Sequence, residues 1–157
     1  MLLPTTRGES VWNGRPVATY ATTRSSLLIN SETGAFVAVL TADGKQLLSW
    51  QPEWGFDFPL VVGKTWQRSY EYTVHTSNRT IAYDVKCKVE SYGEVAVRAG
   101  AFQAFKIVCS NTIATEEAFW FSPELGLNVK LNQTRSGNSP FGAGTRDVEL
   151  VSQSFRK

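Results

Sequence analysis

Apolar and polar residues alternate one by one along most of this 157-residue chain, and a two-residue period fits an extended strand with one covered face. The clearest stretch is Thr65 to His75. There Trp66, Tyr70, Tyr72 and Val74 share a face with Arg68, while Thr65, Gln67, Ser69, Glu71, Thr73 and His75 take the other. Thr80 to Glu90 repeats the pattern, with Ile81, Tyr83, Val85, Cys87 and Val89 inward. Phe105, Ile107 and Cys109 follow the same rule, as do Leu127, Val129 and Leu131. A last strand is expected from Arg146 to Phe155, with Val148 and Leu150 opposite Asp147 and Glu149. No window longer than about ten residues keeps a helical period free of breakers, so helix is expected to be scarce.

Turn chemistry falls where such strands should end. Asp43-Gly44 lies between Phe36 to Thr41 and Gln46 to Trp50 and reads as a hairpin turn. Thr76 to Arg79, with Asn78, joins the two long strands, and Ser122-Pro123-Glu124-Leu125-Gly126 supplies a Pro for the second turn position and a Gly free to take a positive φ. Ser136 to Gly144 is Gly-rich and is expected to be a loop. Gln51 to Gly63 mixes Pro, Gly and aromatics; with Trp54, Phe56 and Phe58 costly to leave in water, it is expected to strap one end of the sheet. The expected fold is all-β: a single antiparallel, strongly curved sheet forming a half-open barrel, with a two-sheet β-sandwich as the alternative. Residues 1–157 then form one domain, with an N-terminal hairpin region at 1–50, the strap at 51–64 and the main meander at 65–157.

At this length a chain buries roughly two-thirds of the surface its unfolded form exposes, so a core needs no metal to hold it. Sixteen basic residues against fourteen acidic ones give a net charge of +2. The basic residues are scattered singly, which argues against nucleic-acid binding and against a polybasic membrane anchor. The longest apolar run, Ala35 to Leu40, is far short of the ~20 residues of a membrane helix, so no transmembrane segment is expected. The opening MLLPTTRGES lacks the basic start and apolar stretch of an export signal. That leaves a cytoplasmic protein or one whose leader lies outside this sequence.

Catalytic chemistry is hard to assemble from these residues. With one histidine, His75, on a polar face, and no Gly-x-Ser-x-Gly, a nucleophilic triad lacks its base. Two cysteines and that histidine do not make a closed metal-ligand set. No enzyme, metal or cofactor is expected. Cys87 and Cys109 lie on the apolar faces of strands that pair if the meander is regular, which makes them either a disulfide or two buried thiols. Arg68, set between Trp66 and Tyr70, is the odd residue on an apolar face. It either anchors the anionic head of a ligand held by Trp66, Tyr70, Tyr83 and Phe105, or it forms an internal ion pair, stacks on an aromatic ring, or snorkels at a strand end. Trp120, flanked by Phe119 and Phe121, gives its strand two apolar faces: a strand covered twice, or one that offers a patch to a partner. Asn78 and Asn132 open N-x-S/T sequons to which no role is assigned.

Three ordered motifs, FPLVVGKTW (Phe58 to Trp66), GEVAVRAGAFQAFKIVC (Gly93 to Cys109) and AFWFSPELGLNVKL (Ala118 to Leu131), resemble the TapB-like domains of exported bacterial envelope proteins. Arg98, Ala101, Phe119 and Phe121 depart from that pattern. The resemblance implies an extracytoplasmic, antiparallel β domain, periplasmic in setting, and implies no reaction. Two functions then stand. Either the interior is packed and the domain binds a protein partner as an interaction or assembly module, or its concave aromatic face holds a lipid or other amphipathic small molecule.

Overall fold

The computed structural model describes residues 6–21, 24–113, 115–139 and 142–150. Eleven strands follow one another: β1 (Thr6–Trp12), β2 (Arg15–Ala21), β3 (Ser25–Asn30), β4 (Phe36–Thr41), β5 (Gln46–Trp54), β6 (Thr65–Val74), β7 (Arg79–Val97), β8 (Gly100–Asn111), β9 (Thr115–Ser122), β10 (Leu127–Arg135) and β11 (Gly144–Glu149). They form a single antiparallel sheet in sequence order from β1 to β11, so each strand neighbours the next along the chain and the sheet does not close. No helix occurs among the described residues. A meander of this kind is what hairpin-length connections permit, since parallel neighbours need long crossovers.

The turns explain the register. Asn13 (φ 50°) and Gly14 (φ 78°) both take positive φ and join Trp12 to its partner Arg15. That is the two-residue turn whose twist suits a hairpin, and Asn-Gly is its commonest sequence. This signal went unread in the N-terminal hairpin region, where β1 to β3 are three further strands. The Asp43-Gly44 turn is present, with Gly44 at φ 86°. The expected strap begins later than the sequence suggested: β5 runs on through Trp54, so 51–54 is strand and only 55–64 is irregular. The long β7 continues to Val97, past the expected end at Glu90. The final strand is described from Gly144 to Glu149; the remainder of the stretch expected to reach Phe155 lies outside the described residues.

Packing within this sheet falls into two compact units. One comprises 6–56 and 70–82, the other Asp57–Ser69 and 83–150, so β6 and β7 have residues in both. In the first, the tryptophan unit, Val17, Leu28, Val37 and Ala38 form a buried cluster with Trp12 and Leu40 against it. Trp54, 5% exposed, is surrounded by rings: Phe36 at 5.5 Å, Phe56 at 5.8 Å and Tyr70 at 6.3 Å between centroids. Trp50 extends the group between Phe36 and Tyr72, at 6.0 and 5.4 Å. Gly55 is required there, because a Cβ would meet that of Ala35 at 3.0 Å.

The second, the disulfide unit, is organised by two bulges. One interrupts β7 between Val89 and Ser91, the other β10 between Asn128 and Lys130. Val89, Ile107 and Phe119 are successive cross-strand partners, 0%, 0% and 2% exposed, and form an apolar row on one face. Phe102, Ala104 and Val129 form a second buried cluster. Ile107 differs in parity from Phe102 and Ala104 along one strand, so these clusters lie on opposite faces of the sheet. The sequence reading placed β8 inward at Phe105, Ile107 and Cys109 alone; β8 is instead covered on one face near its end and on the other near its start. A bulge adds an unpaired residue and re-aims its strand, so a simple alternation cannot register the change.

Candidate functional site

Just past the β7 bulge the apolar row opens to solvent. Tyr92 and Phe105 are cross-strand partners with ring centroids 4.6 Å apart. Phe105 is the partner of Phe121 on β9, and Phe121 meets Phe58 edge-on at 5.5 Å. The result is a line of four rings, with half-buried Phe105 and Phe121 in the middle and exposed ends, Tyr92 at 50% and Phe58 at 45%. Phe58 belongs to the irregular segment before β6, whose other end is tied to β7 by hydrogen bonds from Gly63 N–H to Val89 O and from Val89 N–H to Lys64 O. One end of the segment thus packs on β9 and the other is hydrogen-bonded to β7, within this unit. It carries two more exposed side chains, Val61 at 59% and Val62 at 53%.

The strap is clipped at its neck. Lys64 Nζ donates to the carbonyls of Asp57 (2.6 Å) and Pro59 (2.9 Å), and both Lys64 (3.4 Å) and Arg68 (3.3 Å) pair with the Asp57 carboxylate. Arg68 is therefore not a buried cation among rings; it is an exposed side chain in a surface ion pair, and its half-exposed position makes that pair a weak contributor to stability.

The five residues expected to wall a ligand fall in different settings. Tyr70 and Tyr83 are core residues, 3% and 8% exposed. Trp66 is half-buried and borders an open groove of about 510 Å³ with Thr65, Gln67, Lys86, Cys87, Lys88, Glu90, Val108 and Ser110, a lining that mixes charged side chains with apolar surface. Phe105 sits in the ring line, and Arg68 at the strap's neck. Sequence reasoning missed Tyr92, Val61 and Val62; the run Leu60-Val61-Val62 beside a Pro was the available signal.

Cys87 and Cys109 are cross-strand partners and form a disulfide, with Cα atoms 4.1 Å apart. Glu117, partner of Cys109 on β9, accepts a hydrogen bond from Gln133 Nε2 at 3.3 Å. Burial raises its pKa above the ordinary value, with the Gln133 hydrogen bond and the Arg146 charge acting against it. In the tryptophan unit, His75 is half-buried where the sequence reading had it on a polar face, and its Nε2 is 2.8 Å from Ser49 Oγ. That distance suits a nucleophile and base, but among the described residues no carboxylate is bonded to the ring to orient it, as triad chemistry requires. Trp120 lies between Lys130 Nζ (4.7 Å) and Lys106 Nζ (5.5 Å) and packs against the second apolar cluster, which accounts for its strand being apolar on both faces.

No protein-family model matches the chain, and no curated protein matches it. Among solved structures, the hypothetical lipoprotein YmcC from Escherichia coli K12 aligns with 97% of this chain and 85% of its own, at 11% sequence identity and a TM-score of 0.41.

Proposed function

We propose that this chain is a non-catalytic binding domain of an extracytoplasmic compartment, an assembly module that meets another component from outside through the line of rings Tyr92, Phe105, Phe121 and Phe58. The observation that carries this reading is the exposure of the line's two ends together with Val61 and Val62. Side chains of this size are normally covered, and a clustered exposed set marks a contact surface more often than a scattered one does. The face expected to hold an internal ligand favours the same reading, because Val85, Val89, Ile107 and Phe119 on it are covered by the protein itself. The disulfide supports an oxidising setting, since such bonds persist outside the cytoplasm and are rare within it. The exported family that the three motifs resemble points the same way.

Photo-crosslinking in cells tests the proposal. A photoreactive side chain at position 92 is expected to give adducts that one at the exposed Thr134 on β10 does not. Equal labelling from both positions, or none from position 92, removes the reading.

A further inference from the structure

Among the described residues five large hydrophobic side chains are exposed, and four of them, Phe58, Val61, Val62 and Tyr92, fall in this one region; the other is Val11. Three of the four lie on one loop, at positions 58, 61 and 62. Apolar side chains gain by being covered, and here Phe58, Val61 and Val62 are left 45%, 59% and 53% exposed. Lys64 Nζ closes the loop across the carbonyls of Asp57 and Pro59. The backbone of the loop is also partly satisfied by the protein: Lys64 N–H donates to Val61 O within the loop, Gly63 N–H donates to Val89 O on β7, and Pro59 has no N–H to satisfy. Internal pairing of this kind is the condition for a polypeptide segment to enter an apolar phase, where no water replaces a missing partner.

The charge at the neck supplies the second half of the argument. Two cations, Lys64 and Arg68, share the single carboxylate of Asp57, which leaves one positive charge in excess beside the apolar tip. Exposed apolar side chains at Phe58, Val61 and Val62, the amphipathic ring of Tyr92 and a cationic pair at Lys64 and Arg68 thus occur in one unit. A bilayer presents the matching set: acyl chains, an interface that favours aromatic rings with a polar end, and anionic headgroups.

We infer that the 58–64 loop is a lipid-surface contact, its three apolar side chains entering the acyl boundary of an anionic bilayer while the exposed Arg68 meets the headgroups. The inference rests on the ring line being a docking surface and names what docks there. Flotation of the full chain with vesicles of phosphatidylcholine, with and without phosphatidylglycerol, tests it. The wild type is expected to float with the anionic vesicles. V61S/V62S should lower the partition coefficient about tenfold, in keeping with the apolar area removed. Arg68→Gln should lower it about fivefold on anionic vesicles only, the effect of one basic residue near a charged surface. Both variants alter exposed positions, and an unchanged thermal midpoint verifies that they fold. Failure of the wild type to float, or equal flotation of V61S/V62S, overturns the inference. If position 92 then still crosslinks to a protein in cells, the docking surface stands and its occupant is that protein instead of a bilayer.

Discussion

In the tryptophan unit Trp54 on β5 stacks on Phe36 of β4, meets Phe56 edge-on and Tyr70 of β6 at a tilt, while Glu53 of β5 bonds Arg15 on β2 and Asn30 on β3. In the disulfide unit the same hairpin architecture is held by a covalent cross-link and by a row of Val89, Ile107 and Phe119 with almost no exposure. The contrast teaches how the exposed patch comes to exist. A unit closed by a disulfide and a fully buried apolar row can leave the next ring row open, because its stability does not depend on covering every aromatic side chain. In the tryptophan unit Trp54 and Tyr70 are buried and Phe36 half-buried, beside the aliphatic cluster of Val17, Leu28, Val37 and Ala38.

Substitutions of matched severity can break this comparison. The largest effect is expected from Trp54→Ala, which removes the centre of the ring cluster and should cost about 4 kcal/mol, as truncations of large buried aromatics do. Native-state hydrogen exchange should then show loss of protection beginning in β2 to β5; loss beginning in β8 to β10 would show that the rings are not what holds the first unit. Replacing Cys87 and Cys109 together by Ala opens a loop of sequence separation 22. On the chain-entropy account this costs about 3 kcal/mol. Here protection should fall first in β7 to β9, and a denaturation midpoint equal to that of the wild type would contradict it.

The smallest effect concerns pH. Glu117 has its pKa raised above 4.5 in the folded protein, first through burial. The folded state therefore holds this proton more tightly than the unfolded one. The associated stability is full below about the ordinary carboxylate value and is lost as pH rises through the raised value. Glu117→Gln should flatten that part of the stability profile of the disulfide unit and leave exchange in β2 to β5 unchanged. A slope identical to that of the wild type would remove the assignment.

The strand faces of β6 and the first half of β7 were legible because each residue there points to the side its parity requires. The facing of the two cysteines was legible for the same reason: in-register partners on one face bring two cysteines within bonding reach. Arg68 shows where such reading stops. Its parity puts it among rings, yet Asp57, eleven residues earlier and in an irregular segment, draws it to the surface. Phe105 shows the second limit. Its parity was read correctly, but parity does not say which face is covered at that point along the strand, and the bulge at Val89 to Ser91 lies just where the cover ends. Tyr92 and the two valines of the strap were missed because exposure depends on what lies overhead, which no local pattern encodes.

The sequence by itself determined an all-β meander and its main turns, and put Cys87 and Cys109 on apolar strand faces without deciding between a disulfide and two thiols, since alternation and turn stereochemistry act between near neighbours in the chain. Tertiary structure alone decided which rings are buried and which are offered to solvent. That choice depends on two bulges and on a strap anchored between distant strands, and the free energy of covering a side chain is a property of the surface that surrounds it, not of the residues beside it in sequence.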